Sequence, residues 1–355
     1  MKEGKKLRIG ITHGDINGIG CEVILKSLND ARMLELFTPV IYSSPKVIAY
    51  YRKALSLNNL NTYSVRSAEE AHGERINVVN CLGEEVRVEI GKSTPQGGEA
   101  ALASLQAAVA EIKNGLLDAL VTAPINKYNI QSEQFHFPGH TEYLQSEFGN
   151  GKVLMLMVSD SLRMGILTGH APLAEVPALV TQEKIVSTLH LINRTMLEDF
   201  NISRPRIAAL SLNPHAGDNG LLGKEEQNII IPAIEKVKSE GILAFGPYPS
   251  DGFFGSDNYR KFDVALAMYH DQGMTAFKTL CFENGVNYTA GLPIVRTSPA
   301  HGTAFDLVGT DTASPESFRQ ALYMACDIAA NRMKFRSLKS HAMKDVEVKH
   351  SISDE

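Results

Sequence analysis

The sequence predicts an α/β fold of mostly parallel sheets with helices on both faces. Two observations lead there. Short β-branched apolar runs alternate with longer segments whose apolar residues recur three and four apart, the pattern of strand and crossover helix. Histidines stand at the exits of three of these runs, where open parallel sheets hold their ligands. With 355 residues the chain has length for two domains or one large one.

In chain order the strand candidates are LRIGIT (7–12), VIYS (40–43), INVVN (76–80), LVTAP (120–124), VLMLMV (153–158), LRMGILT (162–168), RIAALSLN (206–213) and VALAMYH (264–270). Between them lie GEAALASLQAAVAEIKNG (98–115), QEKIVSTLHLINRTMLEDF (182–200) and KEEQNIIIPAIEKVKSEG (224–241), each of helical period and several ending near Gly or Asn. A last helix, PESFRQALYMACDIAANRMKF (315–335), opens with proline at a first-turn position. Beyond it the sequence is polar and aperiodic, which predicts a loose tail, with 341–355 outside any lobe. Prolines and glycines in 122–143 mark a boundary: 1–125 plus 300–340 would form a first α/β lobe and 126–299 a second.

Composition removes several classes of function. The formal net charge of -5 is spread along the chain, with no basic block to neutralise phosphates, so no nucleic-acid partner is expected. The start MKEGKKLRIGIT runs straight into a strand without the apolar stretch of a signal peptide, and no run approaches the roughly 20 residues of a membrane span. A cytoplasmic location is expected. Cys21, Cys81, Cys281 and Cys326 are scattered without a Cys-x-x-Cys pair, as reduced thiols would be.

His170 follows RMGILTG, His215 follows AALSLNP, and His270 closes VALAMY. A single histidine at a strand end is commonly a structural residue; three in matched positions make a metal site a reading of equal standing. Imidazole suits zinc and its neighbours, and three protein ligands leave the open position of a catalytic metal.

The glycine-rich THGDINGIGCEVILK (12–26) follows a strand and opens a helix, yet its glycines at 14, 18 and 20 are not spaced Gly-x-Gly-x-x-Gly, and no Walker lysine follows. A tight turn and a ligand loop stay equally open for it. In GLPIVRTSPAHGTAFDLVGT (291–310) small residues surround Arg296, His301 and Asp306, so backbone can approach a ligand and Arg296 can fork to a carboxylate or phosphate. Lys278, Asn287, His140 and Thr141 would complete an anion site for a small phosphorylated acid.

Taken together and in order, GDINGIGCE, TAPINK, FPGHTEY, TGHAPL, LNPHAG, AMYHDQG, GLPIVRTS and HGTAFDLVG resemble the PdxA family, the 4-hydroxythreonine-4-phosphate dehydrogenases of vitamin B6 synthesis. The resemblance implies a two-lobed fold of the isocitrate and isopropylmalate dehydrogenase type, with the active site in the cleft and NAD or NADP bound without a Rossmann fingerprint. It implies a homodimer whose metal ligands are His170, His215 and His270, the third supplied by the partner subunit. Zinc is the first choice of metal, with cobalt, manganese and magnesium as alternatives. Substrate contacts fall on His140, Thr141, Lys278, Asn287 and Arg296, and dinucleotide contacts on His301, Gly302, Thr303, Ala304 and Asp306. The implied reaction oxidises 4-phosphohydroxy-L-threonine at C3 and releases CO2 to give 3-amino-2-oxopropyl phosphate, the metal acting as Lewis acid.

Candidate proton acceptors are Asp271 and Asp251, with Lys278 also counted as catalytic. Relatives that oxidise 4-phospho-D-erythronate or 4-phospho-D-threonate would share these elements, and phosphate acyltransferases share the architecture without metal or NAD. The family commonly reads G-D-P-A-G-I-G-P-E at the first loop, where this chain has Ile16, Asn17 and Cys21. If that loop faces the cleft, substrate preference would change with it.

Overall fold

A computed structural model describes residues 6–149 and 151–352, with 341–352 described by backbone alone. Among these residues twelve strands form one sheet: β1 (Leu7–Thr12), β2 (Phe37–Ser43), β3 (Thr62–Val65), β4 (Ile76–Asn80), β5 (Ala119–Thr122), β6 (Leu154–Val158), β7 (Arg163–Ile166), β8 (Arg206–Leu210), β9 (Leu243–Tyr248), β10 (Val264–Ala267), β11 (Val286–Ala290) and β12 (Arg296–Pro299). Their spatial order is β3-β4-β2-β1-β5-β12-β11-β6-β7-β10-β8-β9.

Both flanks of the sheet are parallel. In the middle β11 runs antiparallel to β12 and to β6, and β6 antiparallel to β7, while β12 pairs in parallel with β5. The α/β class expected from the alternation is therefore observed. All eight strands expected from the sequence form, and β3, β9, β11 and β12 are additional. The antiparallel centre interrupts the parallel order, and ligand clefts open at such a switch.

Helices cover the faces as the 3.6-residue period requires. Pro95–Lys113 is capped by Thr94, whose side chain accepts from Gly97 N, and Gln182–Glu198 by Thr181, which accepts from Lys184 N. The long final helix buries Phe318, Leu322, Ala325 and Ile328 against the sheet. It runs Glu316–Ile352, so the loose tail expected from 336 is helical backbone as far as Ile352.

One buried network pins this helix to the sheet. Arg332 Nε donates to Asp199 Oδ1 at 2.6 Å, Tyr288 Oη donates to Asp199 Oδ2 at 2.5 Å, and Arg332 Nη2 donates to Tyr288 Oη at 2.9 Å. Asp199 is 3 % exposed, so removing Arg332 alone would leave an unpaired buried carboxylate and cost about 3 to 5 kcal/mol. The four cysteines are free thiols, and among the described residues no helix is long and apolar enough to cross a membrane.

Candidate active site

The sheet's central strands open onto a cleft of about 1210 Å³. β7 and β10 are adjacent and parallel, and so are β10 and β8, so His170, His270 and His215 leave three neighbouring strand ends. The strands bring the first two together: the rings of His170 and His270 lie 5.3 Å apart, centre to centre, and both line the cleft.

His270 Nδ1 is 2.7 Å from Asp271 Oδ1. A carboxylate on one imidazole nitrogen leaves the other lone pair outward, as metal-binding histidines need. Burial, then Lys127, then His270 lower the pKa of His170, so its ring is held neutral and able to donate a lone pair.

His215 does not join them. It is exposed on the turn after β8 and is not part of the cleft wall, and among the described residues no three His, Cys, Asp or Glu side chains are grouped to hold a metal. The three-histidine cluster read from the strand ends is thus not assembled within one chain. The chain is left-handed at His215, with φ of 53°, and the residue is exposed outside the cleft that His170 and His270 line. The two imidazoles that the cleft does bring together, those of His170 and His270, have the chemistry to bind a divalent metal.

The anion half of the cleft is better defined. Arg296 of β12 is 3 % exposed, with Nε and Nη2 donating to Thr122 Oγ1 of β5 at 3.0 and 2.6 Å and Nη1 donating to Thr289 Oγ1 of β11 at 3.1 Å. Two hydroxyls hold it and, among the described residues, no carboxylate bonds it; burial pulls its pKa down to about 10, with Glu142 acting the other way. A guanidinium desolvated without an anion is costly, and an incoming phosphate or carboxylate removes that cost.

Around it His140 Nε2, Asn287 Oδ1 and His301 Nε2 are shut from solvent without a hydrogen-bond partner, and their residues line the cleft. Burial, Arg296 and Lys127, in that order, drive the His140 pKa well below its ordinary value. Thr141 Oγ1 lies 3.5 Å from Thr289 Oγ1, and Lys278 reaches the cleft from the helix His270–Cys281. The expected substrate residues therefore gather in one place.

The sequence profile described as "Pyridoxal phosphate biosynthetic protein PdxA" matches residues 35–325. The chain belongs to the PdxA family. A 4-hydroxythreonine-4-phosphate dehydrogenase of Bacteroides thetaiotaomicron is 54% identical over 343 residues, covering 96% of this chain and 94% of that protein. One from a Sulfurihydrogenibium species is 40% identical and covers 90% of this chain and 97% of its own length. The 4-hydroxythreonine-4-phosphate dehydrogenase crystal structure from Klebsiella pneumoniae superposes with a TM-score of 0.78 at 32% identity, covering 93% of this chain and 99% of that one.

In this PdxA chain the unusual first loop turns out to be buried. Asp15, Ile16 and Asn17 are 0 % exposed and take no part in the cleft wall. Asn17 Oδ1 accepts from Glu89 N at 2.7 Å, Asn17 Nδ2 donates to Thr94 Oγ1 at 2.9 Å, and Asp15 Oδ2 accepts from Asn129 Nδ2 at 2.8 Å. The loop also supports the expected dinucleotide segment, since Ile19 N donates to Thr303 O at 3.0 Å and a Cβ on Gly18 would lie 2.8 Å from that oxygen. Its buried residues serve packing and hydrogen bonding outside the cleft wall.

His301 and Gly302 line the cleft, whereas Thr303, Ala304 and Asp306 lie beyond its wall. Burial lowers the His301 pKa. Neither Asp251 nor Asp271 lines the cleft: Asp251 is exposed on the helix Ser250–Gly255, and Asp271 is turned onto His270. Lys127 and Glu142 do line it and were missed from sequence, although both sit in segments already quoted, TAPINK and FPGHTEY. Lys127 is the more consequential, because its charge acts on His140 and His170 together.

Proposed function

We propose that this chain oxidises 4-phosphohydroxy-L-threonine at C3 with NAD, or NADP, as hydride acceptor, and that the 3-keto acid formed loses CO2 to give 3-amino-2-oxopropyl phosphate for pyridoxal phosphate synthesis. The observation that carries this reading is Arg296, a buried guanidinium without a carboxylate partner beside the paired rings of His170 and His270. Its place is the cleft between a lobe of 1–125 plus 300–340 and one of 126–299.

Arg296, Lys278 and Lys127 would receive the phosphate and carboxylate, and His140, Thr141 and Asn287 would orient the carbon chain between them. His140, held neutral by burial and by two cations, can accept a hydrogen bond from a substrate hydroxyl or amine. His170 and His270 of one chain, with His215 of a second copy in a homodimer, would hold the divalent metal, zinc by preference. When bound, the metal supplies Lewis acidity toward the oxygen at C3. His301 and Gly302 would meet the dinucleotide, with Thr303, Ala304 and Asp306 extending that contact away from the cleft. A cytoplasmic location is part of the same reading, and the four free thiols suit it.

The test is NADH formation by purified protein with added divalent metal, comparing 4-phosphohydroxy-L-threonine with 4-phospho-D-erythronate and 4-phospho-D-threonate. Preference for the first supports the proposal. Preference for either sugar acid keeps the site roles and moves the enzyme to sugar-acid oxidation. Acyl transfer to phosphate without metal or dinucleotide would overturn the reading.

A further inference from the structure

The turn that carries His215 is unusual backbone. His215 (φ 53°), Ala216 (φ 54°), Gly217 (φ 79°), Asp218 (φ 41°) and Asn219 (φ 55°) are five successive residues in left-handed conformation, and only one of them is glycine. L-residues avoid this region because Cβ crowds the following carbonyl, and such a stretch persists only where its surroundings hold it.

A buried carboxylate sits against the turn and bonds the two residues that lead into it. Glu226 is 1 % exposed, its Oε1 accepts from Leu212 N at 2.8 Å and Asn213 N at 2.7 Å, and its Oε2 accepts from Asn213 Nδ2 at 3.0 Å. A Cβ on Gly217 would sit 2.7 Å from Glu226 Oε2, so the carboxylate lies directly against the turn. No Lys, Arg or His pairs with Glu226 among the described residues: its charge is met by the loop itself, with Glu225 Oε2 taking a further bond from Asn213 Nδ2 at 2.7 Å.

Two further features mark this carboxylate, and the second ties it to the strand end that bears His270. Glu226 opens a π-turn, Glu226–Ile230, a local widening of the helix that is costly and recurs at functional sites. The strand exit it grips is tied in turn to the exit bearing His270: Gln272 Nε2 donates to Ser211 O at 2.6 Å, while Gln272 Oε1 accepts from Met268 N at 2.7 Å.

We infer that Glu226 is a positioning residue for His215: it sets the left-handed turn so that the imidazole is presented outward to a metal shared with a second copy. This rests on the reading of His215 as a ligand. The carboxylate touches neither substrate nor metal; it acts through the backbone of Leu212 and Asn213. Glutamine is an incomplete replacement: with its carbonyl oxygen accepting from Leu212 N and Asn213 N, its NH2 would face Asn213 Nδ2, itself a donor, and the grip loosens.

The experiment uses full-length protein and two readouts besides turnover, amide hydrogen exchange of residues 212–220 in metal-free protein and zinc affinity by competition with a chromophoric chelator. In the parent, the Leu212 and Asn213 amides should be strongly protected although they lie outside any strand or helix; exchange at loop rates would overturn the proposal without any variant. Glu226→Gln should speed exchange across 212–220, leave β1 and β2 unchanged, and weaken zinc by about 10- to 100-fold. Parental exchange in this variant overturns the proposal. Should it fail to fold, Asn213→Ala, which removes only the side-chain bonds to Glu225 and Glu226, should show the same localised loosening to a smaller degree, and parental exchange there overturns the proposal instead. His215→Ala separates the two ideas: it should lose zinc while 212–220 stays protected. If His215→Ala binds zinc like the parent, the ligand reading fails and the positioning of His215 for a metal falls with it, even where Glu226→Gln loosens the turn.

Discussion

Arg296 and Thr122 join β12 to β5 through two hydrogen bonds, of 3.0 and 2.6 Å, to a single hydroxyl. The hydroxyl aims the guanidinium without neutralising it, which separates the residue's contribution to stability from its contribution to binding. Arg296→Met removes a buried charge that has no anion, so its melting temperature should equal or exceed the parent's. Activity should fall about 100-fold or more in kcat/KM, the roughly 3 kcal/mol that loss of a buried charge contact costs. A melting temperature several degrees lower, with activity largely kept, would make Arg296 a structural residue.

Lys127 adds a further cation to the cleft that Arg296 and Lys278 line, and no ion pair holds it among the described residues. Lys127→Gln should raise the KM for the phosphorylated substrate about tenfold at low ionic strength and flatten its salt dependence, while kcat changes less. NMR titration should find the His140 pKa moved upward, since a nearby positive charge has been removed. An unmoved His140 resonance would place the lysine too far away to act.

The separation of His215 from the His170 and His270 pair makes a prediction about assembly. His215→Ala and His270→Ala should each be folded, metal-poor and inactive. Mixed and allowed to exchange subunits, they should recover about a quarter of parental activity, because half of the dimers are hybrids and each hybrid carries one intact site. No recovery, despite hybrids seen by mass spectrometry, would show that His215 serves its own chain.

His13 predicts a pH dependence of stability. Its ring is 0 % exposed, Nδ1 lies 2.7 Å from Gly14 O, and burial lowers its pKa from 6.5 to about 4. The unfolded chain then binds a proton at a pH where the folded one does not. The neutral ring's contribution is full above pH 6.5 and is lost as pH falls from 6.5 towards 4, a difference of roughly 3 kcal/mol. Urea denaturation of His13→Gln should be flatter than that of the parent between pH 7 and pH 4. Parallel profiles would mean that the buried ring does not govern acid stability.

Much of this was legible in the chain. The first strand lies where its β-branched run placed it, the helix Gln182–Glu198 starts where Thr181 offers a cap, and the three histidines leave adjacent strand ends. Four strands were not legible. β9 contains Gly246 and Pro247, and β12 reads RTSP, which no propensity marks as strand; β12 forms because β5 and β11 offer it hydrogen-bond partners on both sides. The first loop could be read either way, and the structure buries Asp15, Ile16 and Asn17 outside the cleft wall.

Hydrophobic period, caps and turn residues are local properties, so the order of residues alone determined the α/β class, most of the elements and which side chains leave strand ends. Where those side chains point was left to the tertiary structure. Whether Arg296 is buried without an anion, whether His215 stands beside His270 or apart from it, and whether Glu226 reaches back to the turn that bears His215 depend on sheet order, backbone sign and desolvation. These are set by contacts between residues far apart in the chain, and no short stretch of sequence contains them.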